Sequence, residues 1–127
     1  GRPDECLSIL GDLSPGVRAM CHHSRGNETQ ATQMVDSLKS TLTSTDRPVN
    51  YGEMVLYRDI AMFYAWIGEV DETLDWMERA VSWSHHAIDF RYIDSGIFDK
   101  VREDSGFRSG LERIRAGMME RLLQAAR

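Results

Sequence analysis

The sequence is poor in the residues that break helices. Only three prolines occur in 127 residues, and no glycine stands between Gly26 and Gly52 or between Gly68 and Gly96. Sheet-rich folds need many turns, so this scarcity points to long helical segments. Cysteine occurs twice, as Cys6 and Cys21. That is too few for the disulfide framework of a small secreted domain, and both are read as reduced thiols at apolar helix positions in a cytoplasmic protein. No apolar run approaches the ~20 residues that cross a bilayer, and the opening Gly1-Arg2-Pro3-Asp4-Glu5 has no secretory character, so no membrane role is expected. Positive charge is scarce as well. Residues 1–99 carry eight Lys/Arg against sixteen Asp/Glu, and only residues 100–127 reverse the balance, with seven against four. An acidic body lacks the dense positive surface that phosphate binding requires, so nucleic acid is not an expected partner.

Chemical motifs are missing too. There is no glycine-rich phosphate loop, nucleophile elbow or kinase signature. Cys21-His22-His23 and His85-His86 bring ligand-type residues together, but neighbours on a helix point about 100° apart. No His-x-x-x-His or Cys-x-x-Cys spacing puts two ligands on one face. Asp71, Glu72 and Asp75 are better explained as carboxylates at a helix start than as an acid–base pair. No catalytic residue, metal or cofactor is expected, and the chain does not read as an enzyme.

What is present is helical periodicity. From Met54 to Ile67 the chain is apolar nearly all round, with Arg58 and Asp59 side by side, which marks a helix buried between neighbours. Gly68 stops it, and Asp71 and Glu72 open a second helix in which Leu74, Met77, Ala80 and Val81 form a stripe. An earlier hairpin starts at Ser14-Pro15, turns at Arg25-Gly26-Asn27 and continues through Ala31, Met34, Val35, Leu38 and Leu42. Residues 43–50 form a polar linker. A further helix is expected over 84–93, broken at Ser95-Gly96. A last one is expected with Ser105 as its cap, its face marked by Phe107, Leu111, Ile114, Met118 and Leu122. Six or seven helices and no sheet are predicted.

Aligning Gly26 with Gly68 superposes Ala19 on Ala61, Ala31 on Thr73, Val35 on Met77 and Leu38 on Ala80, so the two hairpins are copies. The same register laid on Gly1 implies that the chain begins inside a repeat and is part of a longer array.

Residues 57–80 resemble a tetratricopeptide repeat. Tyr57, Ile60-Ala61 and Tyr64 match the large residue, the apolar-small step and the tyrosine of the family's first helix. Gly68 through Leu74 match its turn and second-helix entry, and Ala80 a small position near its end. Thr73, Met77 and His85 depart from the pattern, as do Arg18 and His22 in the first copy, and the copies lie 42 residues apart where the family usually has about 34. The segment Ile97–Phe107 resembles the closing part of certain bacterial tetratricopeptide regions that follow a kinase, nucleotide-cyclase or transcription-regulator domain, although both of that segment's prolines are absent.

The resemblance implies an all-α fold of antiparallel hairpins stacked as a short right-handed array with a terminal capping helix. The expected domain spans 1–127, with the second helix of a truncated repeat at 1–13, a weak repeat at 14–42, a clear repeat at 50–83 and C-terminal helices or cap at 84–127. It also implies that first helices line a concave face where a protein or peptide partner binds. Arg58, Met62 and Trp66 form an i, i+4, i+8 stripe off the packing register, answered in the first hairpin by Met20 with His23 or Ser24. These residues are the candidate partner-binding face. Trp66 and Met62 equally fit a core position under a neighbouring helix. The expected function is a protein-interaction module of a larger regulatory protein. The alternatives are a capping or homodimerising segment and a small helical ligand or metal sensor.

Overall fold

A computed structural model describes residues 15–83 and 93–126. The helix expected over 1–13, and all but the last residue of the one expected over 84–93, lie outside the described residues. Among those described, the fold is all-helical with no strand: α1 (Pro15–Ser24), α2 (Glu28–Thr41), α3 (Tyr51–Ile67), α4 (Val70–Val81), a 3-10 turn (Gly96–Phe98) and α5 (Ser105–Ala125).

Two hairpins, α1/α2 and α3/α4, close with the same backbone device. The N–H groups of Gly26 and Asn27 donate to the carbonyls of His23 and His22 at 3.0 and 2.9 Å, and those of Gly68 and Glu69 donate to Ala65 and Tyr64 at 3.1 and 2.9 Å. This is the Schellman pattern, which requires a left-handed residue, and the φ values of Gly26 and Gly68 are 86° and 87°. Three of the four superposed pairs are buried in both copies, Ala19 and Ala61, Ala31 and Thr73, Val35 and Met77, while Leu38 is half-buried where Ala80 is buried. Thr73, which replaces a small residue, satisfies its hydroxyl by donating to the Glu69 carbonyl at 2.6 Å.

α1 packs across α3 as well as along α2. Gly16 makes that crossing possible, because a Cβ there would lie 2.6 Å from the Asp59 Cβ and 2.8 Å from the Asp59 carbonyl oxygen. The core runs through α3, where Tyr57, Ile60, Ala61 and Phe63 are buried. Burial pushes the Tyr57 phenol up from its ordinary value. Tyr57 also stacks edge-on against the buried Trp76, with ring centroids 5.2 Å apart.

The stretch 43–50 is polar as expected, yet firmly tied. Asn50 caps α3 by accepting from the Glu53 N–H at 2.9 Å. The Glu53 carboxylate in turn accepts from the Thr43 N–H at 2.7 Å and the Val49 N–H at 3.2 Å. The Tyr57 hydroxyl donates to the Ser44 carbonyl, and Arg79 from α4 donates to the Thr45 carbonyl at 2.9 Å. The Thr43 amide, foremost, holds the Glu53 carboxyl below its ordinary pKa.

α5 runs parallel to α4. Leu74 sits against the Cβ position of Gly110, Arg113 lies 3.8 Å from Glu78, and Gly117 and Arg121 border Val81 and Ser82, so the contacts advance together. Asp104, not Ser105, caps α5, accepting from the Phe107 N–H at 2.9 Å. Asp and Ser both serve as caps, so sequence alone placed this boundary one residue late. Phe107, Leu111, Ile114 and Met118 are buried, while Leu122 is exposed because α5 outruns the shorter α4.

Cys21 is fully buried and disulfide-bonded. The expectation of reduced thiols is therefore corrected, and with it the cysteine argument for a reducing compartment. Two cysteines in a chain of this length give no spacing pattern from which a bond could have been read. The chain's one other cysteine, Cys6, lies outside the described residues. No helix among the described residues is long and apolar enough to cross a membrane.

Candidate partner-binding face

The proposed stripe of α3 and its counterpart on α1 come together along the α1–α3 crossing. The Trp66 indole N–H donates to the Ser24 hydroxyl at 2.9 Å, a bond between residues separated by 42 positions, which is the repeat offset. The same offset pairs Met62 with Met20 and Arg58 with Gly16. At the two ends of this register a large side chain on α3 has a small counterpart on α1, Trp66 with Ser24 and Arg58 with Gly16, while Met62 and Met20 are both large.

Depth divides the candidates. Met20 and Met62 are 5% and 9% exposed and belong to the core, so they do not floor an open groove. Their place on the stripe is real, but α1 and α3 cross closely enough to close over them. Trp66 is half-buried, with its ring packed against the core and its N–H at the surface. Arg58 is also half-buried, and its Nε is shielded from solvent without a hydrogen-bond acceptor. A shielded guanidinium N–H in that state is one acceptor short.

His23 completes the face from α1. Its ring meets Phe63 edge-on at 6.3 Å, and its Nε2 lies 3.9 Å from the exposed Glu28 carboxylate. That contact is at the long limit of an ion pair and contributes little to stability. The residues left at the surface are therefore Trp66, Arg58, His23 and Ser24. Aromatic and arginine side chains are the types that dominate binding energy at protein interfaces.

Tyr64, read as a packing residue, is half-buried. Its hydroxyl accepts a hydrogen bond from the Lys39 ammonium at 2.5 Å, and that ammonium lies 4.9 Å from the Tyr64 ring centre and 5.4 Å from that of Trp76. Arg79 lies 4.7 Å from the Trp76 ring centre. Lys39 was not singled out in the sequence, since one lysine on an amphipathic helix reads as solvated. The missed signal for the face was Gly16, whose lack of a Cβ lets α1 approach α3 at Asp59, the neighbour of Arg58.

Among the described residues no group of three His, Cys, Asp or Glu side chains converges as a metal site would need. No protein-family model, no curated protein and no solved structure matches the chain.

Proposed function

We propose that this chain is a protein-interaction module, a short tetratricopeptide-like array that holds a protein or peptide segment across the α1–α3 face. The observation that carries this reading is the Trp66–Ser24 bond, which joins equivalent positions of the two copies on one surface with a half-buried tryptophan at its centre. Repeat arrays present such continuous faces without catalytic groups. Trp66 supplies the apolar anchor, and the half-buried Arg58 supplies a guanidinium for a carboxylate or carbonyl of the partner. His23 and Ser24 form the polar rim. Neither catalysis nor a cofactor is part of this reading. The Cys21 disulfide fits an oxidising compartment better than the cytoplasm.

The test is to identify a protein captured by the immobilised chain and then measure its affinity for variants. Trp66→Ala and Arg58→Ala are each expected to weaken binding by about 2 kcal/mol or more, the range of interface hot spots, with the fold retained. Unchanged affinity in both variants would remove the face from consideration. Loss of the fold in Trp66→Ala would assign that residue to the core.

A second reading, a structural cap, draws on α5 alone. It buries Phe107, Leu111, Ile114 and Met118 while turning Glu112, Arg113 and Arg115 outward, the two-sided character of a terminal repeat.

A further inference from the structure

The groove between α4 and α5 carries a charge pattern opposite to the body of the protein. It encloses about 310 Å³ and is lined by Val81, Ile114 and Gly117, with Ser82, Glu78, Arg113 and Arg121 around them. Gly117 opens it, since a Cβ placed there would meet nothing within 4 Å. Arg113 and Arg121 each stand four residues from Gly117 on α5, about 12 Å apart along the helix. Arg113 reaches Glu78 only at 3.8 Å, with both side chains more than half exposed. Arg121 makes no side-chain ion pair or hydrogen bond among the described residues.

From this arrangement we infer that the groove docks an acidic amphipathic helix of another protein, its carboxylates meeting Arg113 and Arg121 and a small apolar side chain seated over Gly117. Helices lie in apolar grooves through residues at i, i+3 and i+4, and eight-residue spacing of carboxylates reproduces the 12 Å between the arginines. A second copy of this chain is a poor occupant. Antiparallel pairing of two α5 helices about Gly117 sets Arg113 against Arg121, and parallel pairing sets each arginine against itself, so like charges meet either way. A long polyanion such as nucleic acid fits no better, because it would run on over Asp71, Glu72 and Asp75, which line the adjoining surface of α4. A short acidic helix avoids both conflicts.

Fluorescence anisotropy of a labelled peptide tests this directly. The probe is an amphipathic helix of Leu, Ala and Glu with two glutamates eight residues apart, and the controls are its Lys-for-Glu counterpart and a single-stranded oligonucleotide. The acidic peptide is expected to bind, with affinity falling as salt rises, and the lysine peptide and oligonucleotide are expected not to. Glu78→Gln, which removes a competing carboxylate, is expected to tighten binding. Arg113→Glu with Arg121→Glu is expected to weaken it by about tenfold or more. Gly117→Leu is expected to block the groove while circular dichroism and melting stay at or above those of the parent, because that site is empty and leucine favours a helix. Failure of the acidic peptide to bind, equal binding of the lysine peptide or oligonucleotide, or binding unaltered in Gly117→Leu would overturn the inference. A homodimer dissolved by Gly117→Leu would overturn it too, by showing that a second copy occupies the groove.

Discussion

Gly16 shows how one missing carbon sets the geometry of this fold. Alanine is the better helix former by roughly 1 kcal/mol, so at an open position Gly→Ala stabilises a helix. Here the added Cβ would meet the Asp59 Cβ and the α3 backbone well inside contact distance. Backbone cannot swing aside as a side-chain tip can, so α1 must lift away from α3. We expect Gly16→Ala to destabilise the protein by about 1–3 kcal/mol net, read as a lower denaturant midpoint, and to expose Trp66 to quenching as the crossing loosens. A midpoint raised above the parent's would mean that the close approach is absent. Gly110 differs in kind: the nearest atoms a Cβ would meet there belong to the branched end of the Leu74 side chain and not to backbone.

At the level of elements, the linker between α2 and α3 departs most from its sequence. Its polar residues read as a solvated tether, and nothing local announces that Glu53, Tyr57 and Arg79 reach back to hold it. Glu53 stands three residues after the cap Asn50, where a glutamate commonly returns to the cap's own N–H. In this protein it turns to Thr43 and Val49 instead. Those donors favour the ionised carboxylate, so its pKa is lower in the folded chain than in the unfolded one. The resulting stabilisation is complete above the ordinary value of 4.5 and is lost as pH falls below it, through the depressed folded value. Glu53→Gln is therefore expected to be less stable than the parent at neutral pH, with the difference narrowing in acid titrations below pH 4.5. A gap independent of pH would show that the carboxylate charge plays no part. Helices, turns and copy register were legible because each rests on local chemistry: apolar spacing, Pro15 at a helix start, Gly26 and Gly68 at left-handed turns. The Met62 depth and the Lys39 clamp were not legible, since each depends on residues far apart in sequence, and two cysteines carry no spacing pattern that announces a disulfide at Cys21.

Across the whole molecule, Lys39 joins the first hairpin to both helices of the second. It donates to Tyr64 on α3 and faces Trp76 on α4, while Arg79 lies against the same indole. Such cation–ring contacts contribute about 0.5–2 kcal/mol each, more as water is excluded. Lys39→Met keeps the apolar stem and removes the charge, and it is expected to cost about 1–2 kcal/mol in chemical denaturation while leaving helix content unchanged. A variant as stable as the parent would reduce the clamp to a surface contact. These long-range ties also bear on what kind of unit a repeat is here. In arrays joined by slack linkers, each copy behaves as an interchangeable module, and copies are readily duplicated, deleted or transplanted. In this chain the linker belongs structurally to the hairpin that follows it, through Glu53, Tyr57 and Arg79, while Lys39 of the preceding hairpin is seated in that same neighbour. Excising residues 51–81 would strip the linker of its anchors and leave the Lys39 ammonium without its rings. The two hairpins are thus tied as complementary halves of one structural unit.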